Sequence, residues 1–192
     1  FMAMNRGEWS EFYAILALLE DPCMNLVNEK LENITNELYQ VKQLTLHERD
    51  IIIDYILNNN LDISVYFNDE LVEELEKLEI KNNKQKLFNI IKNAVASRGS
   101  FEIDDVQGLL NKMTPFGILK SKSSSKEDLK AIVMDKRIGS DLLLKYSIKS
   151  SLGSPATILN ASNCTNFIYE INGLNISDIS KINNIDTRSK LI

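Results

Sequence analysis

The sequence predicts one α/β (α+β) domain, and three observations predict it. The chain has 192 residues, the size of an ordinary single core. Hydrophobic residues make up 44% and charged residues 26%, with 7 Gly and 3 Pro, which is a globular composition rather than a disordered or collagenous one. An amphipathic helical spacing opens the chain, and short runs rich in β-branched and aromatic residues follow it.

The apolar residues Trp9, Phe12, Tyr13, Leu16 and Leu19 recur at the three-and-four spacing of a helix, which Pro22 ends. Residues 25–38 read as either a short helix or an extended connection. Val41–Leu46, Ile51–Leu57 and Leu61–Phe67 read as strands, with Asn58-Asn59-Asn60 as a hairpin turn. Asn68-Asp69 reads as the cap of a helix through Leu71, Val72, Leu75 and Leu78, so that Glu70–Glu79 becomes a solvated acidic helix face. A further helix covers Lys84–Val95, and Asp104 caps another with Val106, Leu109, Leu110 and Met113 buried, closed by Pro115-Phe116-Gly117. Then come a Ser/Lys loop from Lys120 to Lys126, a strand Leu129–Met134, a turn Arg137–Ser140 and a strand Leu142–Ile148. A polar loop from Ser150 to Thr165 leads to a third strand, Phe167–Ile171. The expected organisation is 1–117 as helices and hairpin, 118–171 as the core of the site, and 172–192 as a tail leading to a region absent from this chain. Phe1 ahead of Met2 reads as an expression remnant.

No apolar run reaches the roughly 18 residues that cross a bilayer, and no secretory signal is evident, so no membrane partner and a cytoplasmic location are expected. Cys23 and Cys164 lack the spacing of a zinc site or disulfide framework. Net charge is −5, but it is unevenly spread. Residues 1–60 carry 4 basic and 10 acidic side chains, 61–117 carry 7 and 10, and 118–192 carry 11 and 7. The basic last third has the local excess that a phosphate backbone attracts, set against the plain alternative of a solvated lysine face. His47, the one histidine, has no nucleophile signature beside it and is expected to be structural or exposed, and Trp9 belongs to the core.

Asp128 stands at the mouth of one strand, and Ser147-Ile148-Lys149 ends the next. Ser147 and Lys149 are two residues apart and share a sheet face, while Ile148 leaves its carbonyl near it. An aspartate beside a lysine on a hairpin neighbour makes a phosphate-sized site. Magnesium-dependent nucleases need this arrangement: carboxylates hold a hard cation, and a lysine orients water and offsets charge on the phosphate. Spacing alone is weak support, because the pattern arises by chance in many α/β chains.

Longer strings carry a sharper signal. Asn5-Arg6-Gly7-Glu8-Trp9-Ser10-Glu11, the run Asp128–Asp135, and above all Tyr146-Ser-Ile-Lys-Ser-Ser-Leu-Gly-Ser-Pro-Ala-Thr-Ile-Leu-Asn-Ala161 with Thr165–Tyr169 closely resemble the HpaII-type type II restriction endonucleases. The resemblance runs from Gly7 to about Lys190, with the helical middle matching in outline. It implies a PD-(D/E)xK restriction-endonuclease-like mixed sheet flanked by helices, which cuts double-stranded DNA at CCGG with Mg²⁺. Asp128 resembles the motif's first acid and Lys149 its lysine, with Ser147 in the place of the second acid. That serine requires an acid from another element. Glu11 is the first choice and Glu8 the second, on one face of the first helix, both also suited to its positive N-terminal end. Asp135 and Glu170 rank lower, and the Ile148 carbonyl completes the expected metal ligands. Members of the family continue beyond the point where this chain stops.

Lys126 and Arg137 are expected DNA contacts from the basic third. Ser150, Ser154, Thr157, Asn160, Asn163 and Asn166 join them, because their loop follows the catalytic strand directly and offers hydroxyls to phosphates and amides to bases. A palindromic site implies a homodimer, and restriction implies a cognate DNA methyltransferase as genetic partner. The alternatives are a catalytically silent DNA-binding module and a repair or defence nuclease of the same fold with another substrate.

Overall fold

A computed structural model describes residues 3–30, 32–58, 60, 62–93, 99–117, 119, 127–148, 173 and 177, with the side chains of 26 and 35–38 excepted. In chain order the elements are β1 (Met4–Asn5), α1 (Arg6–Glu20), β2 (Cys23–Val27), β3 (Asn33–Glu48), β4 (Ile51–Leu57), β5 (Ile63–Phe67), β6 (Glu70–Leu75), α2 (Lys77–Asn93), β7 (Ser100–Phe101), α3 (Asp104–Met113), β8 (Leu129–Asp135) and β9 (Ser140–Tyr146). The chain divides into two compact units, 1–156 and 157–192, and the elements all belong to the first.

The architecture is mixed α+β, consistent with a restriction-endonuclease-like fold. Seven strands form one sheet in the order β6-β5-β4-β3-β8-β9, with β2 also paired to β3, and a two-stranded ribbon joins β1 to β7. Where a mixed sheet was expected, every pairing among the described strands is antiparallel. Such a sheet can bury one face and leave the other wet, and β8 shows it by alternating buried and half-buried residues from Leu129 to Asp135.

The first helix forms as its pattern predicts. Asn5 caps it reciprocally with Glu8: the Glu8 amide donates to Asn5 Oδ1 (3.0 Å) and the Asn5 amide to Glu8 Oε2 (2.7 Å). Trp9, Phe12, Ile15, Leu16 and Leu19 are fully buried, and the Trp9 indole donates to the Phe101 carbonyl at 3.1 Å, joining the helix to β7. The apolar layer meets the inner sheet face at Leu44, Ile53, Tyr55, Val65, Ala131 and Val133. Tyr55, whose hydroxyl donates to the Met113 carbonyl at 2.8 Å, ties the sheet to the end of α3.

One open alternative is decided and one expectation is overturned. Residues 33–38, readable as a short helix or an extended connection, belong to the long strand β3 and pair there with β2. Asn68 and Asp69 do not cap a helix: both have positive φ (49° and 68°) and form the tight turn from β5 into β6. Two consecutive left-handed residues suit the right-handed twist of a hairpin, a conformation that Asn and Asp tolerate. The acidic run 70–75 is therefore an edge strand, whose glutamates guard the open sheet edge, and α2 starts only at Lys77.

Candidate active site

The hairpin of β8 and β9 sets the site. Its register pairs Leu129 with Tyr146 and Asp135 with Ser140, so Asp128 and Ser147 meet at the open end. The Asp128 amide donates to the Tyr146 carbonyl at 2.9 Å. The carboxylate folds back over the partner strand, where Asp128 Oδ2 accepts from the Ser147 hydroxyl (3.1 Å) and from the Ile148 amide (2.7 Å). A serine at 147 thus donates to Asp128 where an acid would repel it. These two donors fix the orientation of the aspartate.

A cleft opens beside it, lined by Glu11, Ile15, Leu46, His47, Glu48, Leu119, Asp128 and Ile148, with Ile53 behind. It is small, with room for about one water or one ion. Three carboxylates from three elements, α1, β3 and the start of β8, therefore share one cleft. Glu11 lies half-buried one helical turn before the fully buried Ile15.

Glu48 is the acid that the sequence reading did not choose. It is 2% exposed, and neither of its carboxylate oxygens has a hydrogen-bond partner. Burial pushes its carboxyl up to about 7 against the opposing pull of the neighbouring Arg49 guanidinium. Burial, with the Glu48 charge adding to it, also pushes the Tyr55 phenol well above its ordinary value. A signal for Glu48 exists: Leu44, Leu46 and Glu48 are alternate residues and all buried, so extending the expected strand by two residues places the glutamate on the apolar face. His47 points to the cleft as well, with its Nε2 3.2 Å from Lys130 Nζ. Lys130 and Lys145 in turn stand 3.8 and 3.7 Å from Glu127 Oε1.

The other expected residues divide into two groups. Glu8, given as a metal ligand, has its carboxylate engaged in capping α1 and does not line the cleft. Arg137, given as a DNA contact, lies in the turn at the far end of the hairpin, about 23 Å away for seven residues of strand. There its guanidinium binds Asp135 (Nη2 to Oδ2, 2.7 Å; Nε to Oδ1, 3.0 Å) and donates to the Tyr39 hydroxyl at 3.2 Å. Asp135 faces that turn and not the cleft. Lys149, Lys126, Ser150, Ser154, Thr157, Asn160, Asn163, Asn166 and Glu170, with the expected strand 167–171, lie outside the described residues.

The model of the HpaII restriction endonuclease family matches residues 5–192, nearly the whole chain. The chain belongs to the HpaII restriction endonuclease family. It is 37% identical over 187 residues to the type II restriction enzyme HpaII of Haemophilus parainfluenzae, a match covering 96% of this chain and 51% of that protein. The chain thus spans about half the length of the curated relative it matches. No solved structure matches. Within this family's chain, the donors of the cleft are carboxylate oxygens, which suit a hard divalent cation rather than a soft metal. The orphaned Glu48 oxygens leave acceptor capacity for one. Among the described residues, no three His, Cys, Asp or Glu side chains already stand close enough to hold one ion.

Proposed function

We propose that this chain carries the catalytic centre of a type II restriction endonuclease of the PD-(D/E)xK kind, which hydrolyses phosphodiester bonds in double-stranded DNA with Mg²⁺, at CCGG. Membership of the HpaII family supports the reading, and one observation carries it. Asp128 is held by Ser147 and Ile148 at the mouth of a cleft that also receives a glutamate from α1.

In this reading Asp128 and Glu11 hold the cation, with the Ile148 carbonyl beside them. When bound, the ion polarises the phosphate and lowers the pKa of a water. Ser147 and the Ile148 amide keep Asp128 aimed at the cleft, so a ligand need not be ordered again at each turnover. Lys149 follows Ile148 directly, orients the attacking water and offsets charge on the phosphate. Ile15, Leu46 and Ile53 form the cleft's apolar wall, and a dry wall strengthens each charge interaction inside it. The Ser/Thr/Asn loop after Lys149, with Lys126, meets the DNA backbone and bases. The enzyme works as a homodimer in the cytoplasm alongside a cognate methyltransferase. No helix among the described residues is long and apolar enough to cross a membrane.

The test is digestion of a plasmid with many CCGG sites, in Mg²⁺ and in EDTA, by the chain as given and by Asp128→Asn and Lys149→Ala. Discrete Mg²⁺-dependent fragments, lost in both variants, are the expected result. Binding to CCGG duplexes without cutting by any folded form would replace the nuclease with a silent DNA-binding module.

A further inference from the structure

We propose that Glu48 is a cation ligand of this cleft, supplying from β3 the second strand-borne carboxylate that Ser147 does not. The inference rests on the nuclease reading for its cation, but its evidence is independent of the motif. Polar groups buried in proteins are almost always partnered, and an isolated carboxylate is among the costliest groups to leave dry. Glu48 is 2% exposed with two unpartnered oxygens, and it lines the same cleft as Asp128.

Its placement is not a slip of register. Leu44 and Leu46 precede it on the same strand face, and the pairing of β3 with β4, Leu46 to Ile53 and Glu48 to Ile51, carries the alternation to the last residue of the strand. The β3–β8 pairing runs to Thr45 opposite Lys130, so the end of β3 lies beside the chain leading to Asp128, and both acids line the cleft. The nearest cation in sequence, Arg49, makes no hydrogen bond to it: its guanidinium stacks 4.4 Å from the Phe116 ring centroid, and only its charge acts on the carboxylate. Lys130, opposite Thr45 on β3, is engaged with His47 and Glu127. The fold thus brings to the cleft a buried carboxylate whose oxygens accept no hydrogen bond. A divalent ion satisfies both acids at once, and Asp128 retains Oδ1 for it because the two described hydrogen bonds fall on Oδ2.

The experiment is titration calorimetry of Mn²⁺ into this chain, its Glu48→Gln and Glu48→Met forms and Asp128→Asn, with cation-free melting temperatures of all four. Loss of a ligand is expected to weaken Mn²⁺ binding at least about tenfold in both Glu48 variants. At pH 8 each should also melt about 6–12 °C higher without cation, because an unpartnered buried charge has been removed. Unchanged Mn²⁺ affinity in Glu48→Gln and Glu48→Met, with loss only in Asp128→Asn, overturns the role of Glu48 and leaves the nuclease reading standing. Absence of Mn²⁺ binding by the unaltered chain overturns both. Unfolding of both Glu48 variants without cation also overturns the proposal, since it makes the carboxylate a structural partner.

Discussion

Asp135 and Glu48 are both 2% exposed, both lie at strand ends of one sheet, and their surroundings are opposite. Asp135 closes the turn end of the β8–β9 hairpin, where it accepts from the Arg137 amide (2.9 Å) and guanidinium, which hold its carboxyl below the usual carboxylate range. Glu48 stands at the open end with no hydrogen bond, and burial raises its carboxyl to about 7. The first acid is complete within its own chain, whereas the second is complete only with something added. Burial of an acid therefore says little about role until its partners are counted.

The two ends also depend on different ranges of sequence. The turn end is assembled by an Asp-x-Arg pair two residues apart, and the open end needs a helix more than a hundred residues earlier. Trp9→Ala breaks the second kind: a fully buried indole is lost, and α1, which presents Glu11, loses its link to Phe101. A loss of about 3–5 kcal/mol is expected in denaturant unfolding. Asp135 and its pair should still form at whatever denaturant concentration leaves the chain folded.

The pH dependence separates the two acids by sign. Glu48 has a folded value above its unfolded one, so the folded state holds the extra proton between about 4.5 and about 7. Its contribution in cation-free buffer falls as pH rises through that window, by about 3 kcal/mol, and is constant above it. Asp135 behaves oppositely: its folded value is lowered, so its contribution is present above the unfolded value of 3.8 and is lost as pH falls through the lower folded one. Melting curves from pH 3 to pH 8 should show the first slope disappear in Glu48→Gln and the second in Asp135→Asn.

Smaller effects test the surroundings. Tyr55→Phe removes the donor to the Met113 carbonyl that ties the sheet to α3, and is expected to cost about 1–2 kcal/mol in the same unfolding assay. Asn5→Ala removes the cap shared with Glu8, for about 1 kcal/mol, and leaves Mn²⁺ affinity unchanged if Glu8 serves the helix and not the cation.

Much of the site's frame was legible. The strands around Leu129 and Leu142 carry their own pattern, and a hairpin between them necessarily brings Asp128 to Ser147. The first helix was legible because its apolar stripe and its cap agree. Glu70–Leu75 was not, since leucines and glutamates at helical spacing agree equally with an edge strand, and the turn at Asn68-Asp69 with its pairing to β5 decides. Arg137 was read for its charge alone, although Asp135, two residues before it, takes that charge. Glu48 was missed because a charged residue after Leu46 looks like the end of a strand, and only the sheet shows that it occupies a core position.

The most direct measurement is the cation-free melting temperature of Glu48→Gln and Asp135→Asn beside the unaltered chain at pH 8. The account predicts that Glu48→Gln melts higher and Asp135→Asn lower, because one loses an unmet charge and the other a met one. A Glu48→Gln form that melts below the unaltered chain would contradict it.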